Sequence, residues 1–221
     1  MEPVTRLRVG IYGHIKTGKT TFALKGWPTP LIHYDLDMGF ERAEAELSAY
    51  RITKLPVHQP MALYIANAIT QGADIITKPY PTPIKWAGKP EGNVNMWNEL
   101  AEDLRIGHEN EDVKTIVIDT SSMMHKIRTA AQLEFVQRTS PQRVNLIQIE
   151  YGQRNDDMRG THNAAKSYGK NLVLVHHISP VYEDVLTPRG PESRVVPGRF
   201  TWDGFGEMGR YVDAILQSTK I

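Results

Sequence analysis

Cysteine is absent from the 221 residues of this chain. That excludes disulfide staples, thiolate nucleophiles and every zinc site that needs a sulfur ligand, and it suits a reducing compartment. A surplus of either charge is missing too: 26 Lys and Arg face 25 Asp and Glu, a formal net charge of +1. Bulk charge therefore does not mark a nucleic-acid or membrane binder. No apolar run approaches the roughly 18 residues that a membrane span needs. The first ten residues carry Glu2, Arg6 and Arg8 and lack the apolar centre of an export signal, so a cytoplasmic protein is expected. What is present is a chain 40% hydrophobic and 23% charged, which suits a soluble protein with a sizeable core. Its length suits a single domain over 1–221.

Short apolar runs alternate with helix-forming stretches. Leu7–Tyr12, Leu31–Tyr34, Thr115–Ile118 and Asn171–His176 read as buried strands. Thr20–Lys25, Phe40–Tyr50, Met96–Ile106, Ser122–Arg138 and Asn145–Tyr168 read as helices, the last interrupted near Gly152 and Gly160. Such alternation predicts an α/β fold with a mostly parallel sheet flanked by helices. Residues 72–95 gather Pro79, Pro81, Pro83 and Pro90 and read as an irregular insertion or flap. Glu91–Asp112 holds seven acidic residues against Arg105 alone, the pattern of a solvated helix face. Val185–Phe200 carries Arg189, Arg194 and Arg199 among prolines and glycines, and reads as a long exposed basic loop.

The strongest signal is Gly13-His14-Ile15-Lys16-Thr17-Gly18-Lys19-Thr20, a complete G-x-x-x-x-G-K-[ST] between a predicted strand and a predicted helix. The glycines let the backbone curl so that successive N–H groups face phosphate oxygens. Residues Gly13 to Thr21 are the expected nucleotide-binding set: Lys19 for the β and γ phosphates, Thr20 for Mg²⁺, and Ile15, Lys16, Thr17, Gly18 and Thr21 for the cradle. His14 reads as a tolerated loop residue.

Asp119 closes the buried run TIVI, and a strand buried on both faces ends in a carboxylate only where a cation waits. In phosphate-loop proteins that aspartate sits beside the loop and holds Mg²⁺. Asp35 and Asp37 follow the second strand; Asp37 is the expected group that orients the attacking water and takes its proton, and the other reading is a helix cap. His176 and His177 end the last buried strand. Neighbours on a strand point to opposite faces, which argues against a shared metal and leaves His177 to sense the γ phosphate.

The order of these parts resembles the RecA-like core of P-loop NTPases. The segments IYGHIKTGKTTFAL, KTIVIDTSS, EYGQRNDDMR and NLVLVHHI, with Pro197-Gly198, make the chain most similar to small phage-encoded RecA-like ATPases of single-strand annealing and recombination. The resemblance implies ATP and Mg²⁺ as ligands, single-stranded DNA as partner, and a ring or filament of identical subunits in the host cytoplasm. It places DNA on the loop from Ser179 to Phe200, with Arg189, Arg194 and Arg199 as contacts. Asp37 stands where RecA-type proteins usually carry Glu, and His176-His177 where they carry Asn-Gln. No arginine near the phosphate loop looks placed to serve its own chain's nucleotide, so a basic side chain from a neighbouring subunit is expected. The alternatives are a small-molecule kinase, with the basic loop as a lid, and a nucleotide-gated assembly factor without DNA.

Overall fold

A computed structural model describes residues 6–82, 91–187 and 190–219. Seven strands form one parallel sheet. In chain order they are β1 (Arg8–Gly13), β2 (Leu31–Asp35), β3 (Ile52–Lys54), β4 (Ile75–Pro79), β5 (Thr115–Asp119), β6 (Asn171–His176) and, last in the chain, β9 (Ala214–Ser218). Their order across the sheet is β3-β4-β2-β5-β6-β1-β9. Every residue of β2, β5 and β6 is buried, which is why these runs show no polar alternation.

Side chains alternate between two layers of core. Ile32, Tyr34, Ile116, Ile118, Leu172 and Leu174 face helices α4 (Asn93–Glu109), α5 (Ser121–Gln137) and α6 (Tyr151–Ser167), through Leu100, Leu104, Met124, Ile127 and Met158. Val9, Ile11, Leu31, Val117, Val173 and Val175 face α1 (Lys19–Leu24) and α2 (Phe40–Glu44), through Ala23, Leu24, Phe40 and Ala43. The expected α/β architecture is the observed one.

Several local expectations are corrected. The 72–95 insertion contains β4, an internal strand between β3 and β2; Ile75 and Ile76 are fully buried, and Pro79 stands at its last position, where a missing N–H is tolerated. Residues 83–90 of that segment lie outside the described residues. The predicted helix over 40–50 is regular only to Glu44, then tightens into a 3₁₀ turn over Ala45–Leu47 that buries Leu47. Helix α6 starts at Tyr151 and passes unbroken through Gly152 and Gly160, each a propensity loss of about 1 kcal/mol offset by burying Met158, His162 and Ala165. The edge strand β3, the short helix α3 (Ile65–Thr70) and β9 are elements that the sequence pattern does not announce.

The largest correction concerns the basic loop. It is a two-stranded antiparallel ribbon, β7 (Ile178–Thr187) paired with β8 (Gly190–Trp202). Thr187 pairs with Gly190, and Arg189 lies outside the described residues. The prolines that suggest a loop are absorbed: the ladder shifts register between Pro180 and Tyr182, opposite the stretch holding Pro197-Gly198, and an isolated ribbon leaves one side of each strand free of hydrogen-bond partners.

Candidate functional site

Parallel register aligns the strand ends that matter. Asp35 pairs with Asp119, Asp119 with Val175, and Tyr12 with His176. Strand β6 therefore stands between β5 and β1, so Asp119 and the phosphate-loop strand are not neighbours in the sheet. The gap is bridged from α1 instead: Thr20 Oγ1 donates to Asp119 Oδ2 at 2.5 Å. A crevice opens outside these carboxyl ends, the usual place for ligands in parallel sheets.

Within the loop, Lys16 and Gly18 have φ of 60° and 79°. These two left-handed residues curl the chain so that its N–H groups turn inward. Thr17 Oγ1 donates to the His14 carbonyl at 2.9 Å, and Ser218 Oγ at the end of β9 donates to the Thr17 carbonyl at 2.8 Å. Gly13 has a steric reason of its own: a Cβ there would collide with the Ser218 carbonyl oxygen and stand 3.1 Å from Ser218 Cβ. Lys19 is buried and folds back over the loop, its Nζ donating to the carbonyls of Gly13 (3.0 Å) and His14 (2.6 Å). Burial lowers its pKa, opposed by the nearby Asp119 and Asp37 carboxylates.

The two aspartates after β2 have different tasks. Asp35 is buried and accepts the backbone N–H groups of Gly39 (2.9 Å) and Phe40 (3.2 Å), so it anchors the first turn of α2; burial raises its pKa. Asp37 faces the crevice. Its backbone is pinned by Asp119, whose carbonyl accepts the N–H groups of Leu36 (2.6 Å) and Asp37 (3.3 Å). His177 Nε2 donates to Asp37 Oδ2 at 3.3 Å, and this bond holds the carboxyl below the usual carboxylate range, with Arg42 and Lys19 adding to the effect.

The histidine pair splits as strand geometry requires. His176 is fully buried, donates from Nδ1 to the Asp203 carbonyl at 3.3 Å, and is driven by burial to a pKa of about 3, so it stays neutral. His177 reaches the crevice, its own N–H donated to Ser122 Oγ at 3.0 Å. Ser122 in turn donates to the Asp203 carbonyl at 2.5 Å, which fixes the root of the ribbon to α5. Thr120, not Asp119, caps α5 by accepting the Met123 N–H.

The result is a cavity of about 390 Å³ walled by residues 15–21, Asp37, Gly39, Arg42, Ala43, Asp119, Thr120 and His177. Lys19, Thr20, Asp37, Asp119 and His177 thus line one cavity. Arg194 and Arg199 do not reach it; both are exposed on β8. Two residues of this neighbourhood have no signal in the sequence. Arg42 lines the cavity, so the expectation that no arginine of this chain stands near its own phosphate loop is wrong. His33 is buried behind Asp119, its Nε2 3.7 Å from the carboxylate and its Nδ1 2.9 Å from Thr77 Oγ1. Oxygen donors alone, one hydroxyl and one carboxylate in contact, suit Mg²⁺, which takes one or two carboxylates and fills its shell with phosphate and water. Among the described residues no cluster of three or more His, Cys, Asp or Glu could hold a metal without such outside ligands.

A phosphate loop at the carboxyl edge of a parallel sheet, with a hydroxyl and a carboxylate meeting over it, defines a P-loop NTPase fold. A family model described as an AAA domain, of the P-loop NTPase superfamily, matches residues 5–185, and the chain belongs to that family. No curated protein matches the chain. No helix among the described residues is long and apolar enough to cross a membrane.

Proposed function

We propose that this protein binds Mg·ATP, hydrolyses it, and couples the cycle to single-stranded DNA in recombination or strand annealing. The observation that carries the nucleotide half is the Thr20–Asp119 contact of 2.5 Å at the mouth of the loop. Thr20 and Asp119 are the residues that would hold Mg²⁺, which supplies charge neutralisation between the β and γ phosphates. Lys19 meets the same phosphates once it leaves the loop carbonyls. A water oxygen bonds to the γ phosphorus as the bond to the bridging oxygen breaks; ADP leaves with that electron pair, and the water's proton passes to the released phosphate or to solvent. Asp37, with its lowered pKa, is a weak base, so its part is to accept a hydrogen bond from this water and aim it. His177 holds Asp37 and senses the γ phosphate.

The DNA half is supported by the ribbon. Arg194, Arg199, Tyr182 and Phe200 are exposed on it, offering cations for phosphates and rings for bases. Among the described residues Arg194 pairs with the exposed Glu192 at 3.0 Å, a weak bond that DNA phosphate can replace. Phe200 packs edge-on against His14, ring centroids 5.2 Å apart, so the base of the arm touches the phosphate loop. Assembly into a ring or filament belongs to the same reading. Orthophosphate release, measured with and without single-stranded DNA alongside sedimentation, tests it. Stimulation by DNA and growth of the particle support the reading. Label passing from ATP to a small molecule indicates a kinase, and turnover indifferent to DNA indicates an assembly factor.

A further inference from the structure

We propose that Arg42 completes the γ-phosphate subsite from within the same chain, as the cation that stabilises charge on the transferring phosphoryl group. This rests on the nucleotide reading above and adds a residue that lies outside the phosphate-loop motif.

Four observations converge. Arg42 lines the nucleotide cavity together with Lys19, Thr20, Asp37 and His177. Its guanidinium makes no hydrogen bond or ion pair with another residue among the described ones, and it acts on the nearby Asp37 carboxylate through space. It lies near the expected Mg²⁺ position: a Cβ built on Gly39 would be 3.4 Å from Arg42 Nη2 and 3.8 Å from Thr20 Oγ1, so the two groups are no more than about 7 Å apart. Its helix is pinned, because Asp35 accepts the N–H groups of Gly39 and Phe40, the Arg42 N–H bonds the Gly39 carbonyl at 3.2 Å, and Phe40 and Ala43 are buried beneath the sheet.

Chemistry favours a guanidinium there. It is planar, always charged, and offers a fork of donors that matches two phosphate oxygens at once. Once it leaves the loop carbonyls, Lys19 is shared between the β and γ phosphates, so a second cation would serve the γ phosphate alone. Arg42 and the Asp37 carboxylate, whose pKa Arg42 helps to lower, line the same crevice.

The test compares Arg42→Ala and Arg42→Lys with the parent in two readouts. The first is the ratio of affinities for a non-hydrolysable Mg·ATP analogue and for Mg·ADP. Arg42→Ala should lose about 10- to 100-fold for the triphosphate and nothing for ADP, the range expected for one charged hydrogen bond to the γ phosphate. The second is kcat, expected to fall about 10³-fold, the low end for an arginine acting on phosphoryl transfer, with partial recovery in Arg42→Lys. Mixing Arg42→Ala with Lys19→Ala separates the two geometries: an arginine acting on its own chain leaves the mixture inactive, whereas one acting across a subunit interface restores turnover. Unchanged triphosphate preference and kcat in Arg42→Ala, or restored activity in the mixture, overturns this proposal while the parent still turns over ATP. A parent that binds no Mg·ATP overturns the nucleotide reading itself, and this proposal with it.

Discussion

Replacing Gly13 by alanine separates two reasons for the first glycine of a phosphate loop. If phosphate approach alone required it, Gly13→Ala would leave the empty protein as stable as the parent. The structure says otherwise. The added methyl would collide with the carbonyl oxygen of Ser218 and lie 3.1 Å from both its Cβ and carbonyl carbon, whereas real Cβ atoms essentially never come within 3.0 Å of another heavy atom. Relief requires β9 and β1 to part by about 1 Å at the Gly13–Ser218 pair, an overpacking that costs about 1–3 kcal/mol. The Ser218–Thr17 hydrogen bond goes with it, adding about 1 kcal/mol. Urea unfolding without nucleotide should show a loss of about 2–4 kcal/mol, as a lower midpoint at unchanged slope. Freed from Ser218, the loop should also bind Mg·ATP less tightly. Stability within about 0.5 kcal/mol of the parent, the range of an inconsequential surface change, would refute the steric argument.

Asp37→Asn should still bind Mg·ATP but hydrolyse it about 10²-fold or more slowly, measured as single-turnover phosphate release. Because His177 holds the Asp37 pKa below the usual value of 3.8, the carboxylate stays ionised as pH falls to that value. The stability it contributes is present above 3.8 and lost only as pH drops through the lower folded value, and no acid limb of the rate should be assignable to Asp37 above 3.8. The buried His176 and His108 and the half-buried His125 act sooner: His176 is pushed down to about 3, and His108 and His125 to about 4, from 6.5. They remain neutral in the folded chain while the unfolded chain takes up protons, so stability is full above about pH 6.5 and falls below it by roughly 1.4 kcal/mol per pH unit for each. Urea midpoints that stay flat from pH 7 to 5 would contradict their burial. On the ribbon, Arg194→Ala with Arg199→Ala should weaken single-stranded DNA binding and reduce the salt slope by about 0.7 for each phosphate that is no longer neutralised. An unaltered slope would move the DNA site elsewhere.

What can be read from the sequence follows from how local each signal is. The phosphate loop is eight consecutive residues whose chemistry dictates their types, and the runs ending at Asp119 and His176 are apolar because both faces of the sheet are covered. Asp37 is separable from Asp35 in principle, since only Asp35 stands where it can accept the first N–H groups of α2. The ribbon is hidden because its prolines and glycines outweigh the β-branched and aromatic residues around them. A free-standing ribbon tolerates both types on its unpaired edges. Strand β4 is masked for a similar reason, its Ile75–Thr77 core outvoted by prolines that begin at the strand's last residue. Arg42 carries no local sign at all. It sits in FERAEAEL, which reads simply as helix, and it gains meaning only when Asp35 anchors that helix beside the loop and Arg42 lines the cavity. His33 is equally silent in LIHYD, where nothing announces that β5 will bring Asp119 to 3.7 Å.

The central claim is that the loop of residues 13–20 holds a nucleotide triphosphate through Lys19. Titration of the parent and of Lys19→Ala with Mg·ATP by calorimetry, with orthophosphate release followed on the same samples, tests it most directly. Lys19 lies buried against its own loop, so its removal takes away the cation facing the β and γ phosphates while the sheet around it is unaffected. The account predicts saturable binding and turnover by the parent, and loss of both in Lys19→Ala, with a cooperative urea transition showing that the variant is folded. Equal binding and turnover by the two proteins would contradict it.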